Sequence, residues 1–224
     1  MSKVHLVKQG DTLSSIAAEH GFHDFRTIFD DGQNAELKAA RGNAHVLFPG
    51  DQVVIPDLDP RVERAPTTAR HTFVLQRQGL HLRLRLRDLD NVALKAPTPV
   101  LLATNSPDDA APTTPDGSGI VEREIDRRLA KAELRVEPKN IKMDLIVGGL
   151  DPIDTLSGQR ARLNNLGYFA GAASNDTEQF RWAAEEFKKD NGVKPLAVKE
   201  ADIDPERGIA VGPFTAALEK AHEK

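Results

Sequence analysis

The stretch from His5 to Gly21, His-Leu-Val-Lys-Gln-Gly-Asp-Thr-Leu-Ser-Ser-Ile-Ala-Ala-Glu-His-Gly, constrains the fold of this chain more than any other. His5, Leu6 and Val7 read as a short strand. Gly10 permits a sharp turn, and Asp11 and Thr12 both carry the short oxygen side chain that caps a helix start. Leu13, Ile16 and Ala17 follow at i, i+3 and i+4, which makes one apolar face of a short helix, and Gly21 closes it. A second helix is expected around Phe25 to Asp31. Downstream, Leu47-Phe-Pro-Gly-Asp-Gln-Val-Val-Ile-Pro56 is a turn feeding a second strand that a proline ends. The order is strand, helix, helix, strand, a very small βααβ unit.

These pieces resemble a LysM module, a family that binds N-acetylglucosamine-containing glycans such as peptidoglycan and chitin. Val7, Gly10, Asp11, Thr12, Leu13, Ile16, Ala17, Gly21, Ile28, Asn34, Leu47, Pro49, Gly50, Asp51 and Ile55-Pro56 carry the resemblance. It implies a glycan held between two turns, with Gly10, Asp11, Thr12, Leu13, Asn34, Leu47, Phe48, Pro49 and Gly50 as candidate contacts. Each has a structural alternative: Gly10 makes the turn, Asp11 or Thr12 caps the helix, Leu13 and Phe48 belong to the interior. At the first turn, Asp11 is expected to cap the helix and Thr12 to face the ligand. The chain departs from the family between Glu36 and His45, where the connection is longer and brings Arg41 and His45 near the second turn.

Composition narrows the remaining classes. At 224 residues the chain has room for one to three domains, and a 5% aromatic content points to modest cores. A net charge of −4 gives no general attraction to nucleic acid or to anionic membrane. With no cysteine there are no disulfides and no thiolate metal sites. No window has the apolar length of a membrane span, and the first ten residues lack the apolar run of a signal peptide. Residence in a bacterial cytoplasm is therefore expected, or delivery to the periplasm or a target cell by a secretion machine.

Asp57 to Thr68 is polar, proline-containing and aperiodic, as a linker would be. The period then changes to two. Thr72–Leu75, His81–Arg87, Thr98–Thr104, Ile120–Ile125 and Ala132–Val136 read as strands, with Asp88–Asn91 a turn between them and Asn105–Gly119 a mobile loop carrying an Asp116-Gly117 turn. Ala132–Val136 is the last clear strand. Leu82, Leu84 and Leu86 face a core, with Arg83, Arg85 and Arg87 on the other side. That arginine stripe is either a contact for an anionic partner or a solvated sheet face; charged outer faces are the ordinary case. Short strands between turn signals suggest a small antiparallel β-sandwich.

The last third turns helical. Thr155 or Ser157 caps a first helix bearing Leu156, Leu163 and Leu166, which Gly167 stops. A second starts near Asn175-Asp-Thr177 and buries Phe180, Ala183, Ala184 and Phe187; Asn191-Gly192 ends it. A third begins at Gly212-Pro213 with Ala217, Leu218 and Ala221 inward. The text around Leu163, Leu166, Gly167, Tyr168, Phe187, Gly212, Thr215 and Leu218 resembles the three-helix peptidoglycan-binding domain. It departs from that family in the Gly171–Asp176 loop and in an insertion from Lys194 to Ile209.

No catalytic constellation emerges. The seven histidines show no HExxH spacing, His20 and His23 flank a helix-ending glycine and are expected in solvent, and there is no nucleophile elbow. The expectation is a non-enzymatic, multi-domain α+β protein without metal or cofactor: a βααβ LysM module (1–58), a linker (59–69), an antiparallel β-sandwich (70–147) and a three-helix bundle (148–224). Two tethered glycan-binding modules gain avidity on a repetitive polymer. The same order of segments resembles accessory components associated with type VI secretion spikes, which implies the alternative of an adaptor binding spike or tip proteins rather than peptidoglycan.

Overall fold

Lys3–Leu6 (β1) and Gln52–Ile55 (β2) pair antiparallel, Lys3 opposite Ile55 and Leu6 opposite Gln52, and they bracket the N-terminal helices. This arrangement comes from a computed structural model that describes residues 3–59, 62, 64–72, 79–88, 90, 92–104, 111–172 and 176–223. By its internal contacts the chain divides into two units: Met1–His45 with Gly50–Gly148, and Val46–Pro49 with Gly149–Lys224. Helices and small antiparallel sheets occur in both, so the chain is α+β.

Between β1 and β2 run Leu13–Glu19 (α1), Arg26–Phe29 (α2), a 3₁₀ turn at Gly32–Asn34 and Ala35–Arg41 (α3). Leu13, Ile16 and Ala17 of α1 are fully buried, as their spacing requires. Helix α3 lies in the connection expected to be longer than in the LysM family. Its signals are ordinary: Ala, Leu, Glu and Lys are good helix formers, Glu36 sits in the first turn, Lys38 and Arg41 near the end, and Gly42 takes a φ of 66° at the C-cap. Asn34 is 1% exposed. Its amide donates to Ile28 O (2.8 Å) and Val54 O (2.7 Å), and its carbonyl accepts from Val54 N–H (2.8 Å). One side chain thus ties α2 to β2.

The same unit carries the strands Leu80–Arg85 (β3), Val100–Ala103 (β4), Ile120–Ile125 (β5), Lys131–Val136 (β6) and Ile141–Ile146 (β7). β3 pairs with β5, and β4, β6 and β7 form a second sheet in that order, all antiparallel. Val100, Leu102, Val121, Leu134 and Val136 are buried together, with Leu82, Leu84 and Leu86 packed against them. The strand expected at Thr72–Leu75 lies mostly outside the described residues, as do parts of the 57–68, 88–91, 105–119 and 171–176 segments. Among the described residues of the 105–119 segment, Thr113 exchanges both backbone hydrogen bonds with Val100 at 2.8 Å, so that part is tied to β4.

β7 is the strand that the sequence reading stops short of. Its apolar residues do alternate, and Met143 stands opposite Leu134 and Leu145 opposite Ala132. Yet Met143 is 51% exposed, and among the described residues β7 is the outer strand of its sheet. A run with so little burial has only alternation to declare it.

In the second unit, Leu156–Asn165 (α4), Thr177–Asp190 (α5) and Pro213–His222 (α6) surround a core of Leu163, Phe180, Ala184, Phe187, Phe214 and Leu218. Thr155, not Ser157, is the cap of α4: its Oγ1 accepts from Gly158 N–H at 3.0 Å. The 194–209 insertion forms a small hairpin, Ile203–Asp204 (β8) with Gly208–Ile209 (β9). Fully buried Gln159 holds it, donating to Ile153 O (2.9 Å) and Ile209 O (2.8 Å) and accepting from Ile209 N–H (2.9 Å). Tyr168 donates to Asp190 (3.1 Å), and burial beside that carboxylate pushes its phenol up to about 12. No described helix is long and apolar enough to cross a membrane.

Candidate functional site

The first turn leaves β1 and enters α1. Gly10 is exposed with a φ of 92°, the left-handed region that favours glycine, and Asp11 N–H closes the turn onto Lys8 O (3.0 Å). The two oxygen side chains divide their duties differently from the sequence expectation, with the cap on Thr12 and not on Asp11. Thr12 caps α1: its Oγ1 accepts from Ser15 N–H (3.1 Å) while Ser15 Oγ accepts from Thr12 N–H (3.0 Å), a reciprocal capping box. The signal was present as Thr-x-x-Ser, with serine where glutamate usually stands. Asp11 instead faces back towards β1. Its Oδ2 accepts from Lys8 N–H (2.8 Å) and bonds His5 Nε2 (3.0 Å). Because a carboxylate only accepts, the His5 Nε2 carries the hydrogen.

Gly148 lies against this turn: a Cβ placed on it would meet Thr12 Cγ2 at 2.8 Å and Gly10 O at 3.4 Å. Thr12 is therefore engaged on its hydroxyl side by Ser15 and on its methyl side by Gly148. Two neighbouring arginines also reach the N-terminal helices, Arg127 donating to Phe22 O (3.5 Å) and Arg128 to Ala18 O (3.4 Å).

At the second turn, Gly50 (φ 97°) donates to Val7 O, and Val7 N–H donates to Asp51 O, both at 2.9 Å. The ladder of β1 and β2 thus continues to the two glycine turns. Arg41, at the end of α3, forks onto Asp51 with Nε to Oδ2 at 2.8 Å and Nη2 to Oδ1 at 2.6 Å; both side chains are largely shielded from solvent. His45 packs edge-on to Phe25 with ring centroids 5.0 Å apart, and loss of solvent together with Arg26 lowers its pKa. Arg41 and His45 were both read as near this turn; the fork onto Asp51 needed α3 to bring it there.

Of the nine candidate glycan contacts, the structure places Leu13, Asn34 and Leu47 inside the protein. Leu13 and Asn34 serve the packing and hydrogen bonding of the N-terminal helices, which for Leu13 is the interior alternative. Gly10, Phe48, Pro49 and Gly50 are exposed, and Asp11 and Thr12 are half-buried in the roles above. The stripe Arg83/Arg85 is outward as expected, but β5 sets Glu122 opposite Arg83 and Glu124 opposite His81. Cross-strand carboxylates offset its charge, and a solvated outer face accounts for it.

One cluster was not legible in the sequence. His5 on β1 and His20 at the end of α1 bring His5 Nδ1 and His20 Nε2 to 3.5 Å, their rings perpendicular. His20 is half-buried against His5 rather than free in solvent beside His23. Only the return of α1 onto β1 joins two residues so far apart along the chain.

Comparison with known proteins leaves most of the chain without a counterpart: no curated protein and no solved structure matches it. A sequence model of one family, the LysM domain, does match, over residues 5–23, the stretch that takes in the end of β1, the first glycine turn and α1.

Proposed function

We propose that the protein binds peptidoglycan or a related N-acetylglucosamine-containing glycan, without catalysing a reaction on it. The single observation that carries this reading is the LysM domain match over residues 5–23, since LysM domains bind such glycans. The exposed groups agree with it. Gly10 offers backbone at a turn, and the exposed Phe48-Pro49-Gly50 segment offers apolar surface for a sugar ring beside backbone hydrogen-bond groups. We read residues 1–58 as the LysM module, residues 70–147 as a small β-sandwich and residues 148–224 as a three-helix domain of the peptidoglycan-binding kind. The last would give the chain a second, tethered contact with the polymer.

The test is co-sedimentation of the full chain with insoluble peptidoglycan sacculi at low salt. Pelleting well above an albumin control is expected, and Phe48→Ala should weaken it roughly five- to tenfold, the loss of about one apolar sugar contact. Failure of the parent chain to pellet would overturn the reading. A second reading, an adaptor that binds protein in a type VI-like secretion machine, is favoured by β7, an edge strand that exposes Met143 and Ile146. Co-purification with spike proteins but not with sacculi would select it.

A further inference from the structure

We propose that His5, His20 and Glu19 form a binding site for a zinc-class divalent ion, with Asp11 positioning His5. The proposal stands on geometry and does not depend on glycan binding. One nitrogen from each ring and one Glu19 carboxylate oxygen all lie within 4.8 Å of one another. Two imidazole nitrogens bound to one tetrahedral zinc, each at ~2.0–2.1 Å, stand roughly 3.3–3.4 Å apart. His5 Nδ1 and His20 Nε2 stand 3.5 Å apart. At that length a hydrogen bond between the two rings is weak, and the same separation suits two ligands of one ion.

The proton inventory agrees. The Asp11 carboxylate accepts from His5 Nε2 at 3.0 Å, which fixes the hydrogen on that nitrogen and leaves Nδ1 as a lone pair aimed at His20. Asp11 is itself held by the Lys8 N–H at 2.8 Å. A carboxylate on the far nitrogen of a ligating imidazole is the outer-shell arrangement that orients such ligands and raises their basicity. The donor set, two imidazoles and a carboxylate, suits zinc and its neighbours over magnesium or calcium, which take all-oxygen shells. Glu19 is exposed, so the ion would keep a position open to water. Bound there, it would staple β1 to the C-terminal end of α1, closing the first half of the N-terminal unit.

The experiment is calorimetric titration of the untagged full chain with Zn(II), with Co(II) absorption as the spectroscopic reading. One equivalent should bind with a dissociation constant tighter than about 100 µM, and a matching excess of Mg(II) should give no heat. His20→Gln should weaken binding at least ~100-fold, Glu19→Gln about tenfold, and Asp11→Asn between about 10- and 100-fold. Co(II) should give intense tetrahedral ligand-field bands whose position shifts in Asp11→Asn, a change that a merely structural role for Asp11 would not produce. His81→Gln, on β3, should change nothing, and far-ultraviolet dichroism should show each variant folded. Absence of saturable Zn(II) binding, or binding that survives both His20→Gln and Glu19→Gln, would overturn the proposal; Glu19 is exposed, so its variant is informative even if His20→Gln misfolds.

Discussion

Thr12 and Asp11 show how two adjacent side chains of similar chemistry come to different work. Thr12 has the extended backbone of an N-cap (φ −128°, ψ 156°) and a Ser15 partner, while Asp11 is turned to His5 and Lys8. Removing a cap costs ~1 kcal/mol. Thr12→Ala should therefore lower the melting temperature of the N-terminal unit by several degrees, read by differential scanning calorimetry, and Ser15→Ala should reproduce part of it. An unchanged melting temperature in Thr12→Ala would show that the cap contributes nothing. The sequence offers two adjacent caps and its reading settles on Asp11, because Asp and Thr are both favoured N-caps and Asp is the stronger in isolation. What separates them is a histidine six residues upstream of Asp11, whose proximity depends on the turn itself. Asn34 is a similar case: its text fits a surface polar residue, and only the return of β2 supplies the Val54 groups that bury it.

At the scale of elements, periodicity was a faithful guide wherever one face is buried. The apolar stripe Phe180, Ala183, Ala184 and Phe187 is the inward face of α5, and Leu82, Leu84 and Leu86 lean on the β core. It fell short for α3, whose short run of good helix formers carries one buried residue, Leu37, and for β7, whose face is half in solvent. The end of α6 adds a pH dependence. His222 Nε2 accepts from the Asn165 amide at 3.1 Å, so the neutral ring is the form that fits. Loss of solvent and then the Arg162 guanidinium lower its pKa below the ordinary 6.5, with Glu223 opposing. A lowered histidine means that the unfolded chain binds the proton first. The stabilisation is complete above about pH 6.5 and fades as pH falls through the lower folded value. His222→Gln should flatten the melting-temperature profile of the helical unit over that window; a profile as steep as the parent's would refute the assignment.

For the whole molecule, the described residues between Asp57 and Thr72 contain neither helix nor strand. Their composition explains it: prolines, charges and threonines offer no apolar face to bury. Limited proteolysis should cut there first, ahead of the 111–119 segment, where Thr113 is bonded to β4. A helical fragment beginning near 149 should persist. Simultaneous resistance at 57–72 and near 149 would argue against separable segments.

The seating of Gly148 against Gly10 and Thr12 has a mechanical consequence. Gly148, the last residue of the first unit, thus comes back to the turn that follows β1. A load applied between a ligand gripped at the first turn and whatever follows Gly148 would cross this contact and the nearby bonds of Arg127 and Arg128 to Phe22 and Ala18. The strands β3 to β7 would sit outside the line of tension, like a loop of rope hanging below a knot. Under pull, the knot at Gly148 would give before any sheet was unzipped.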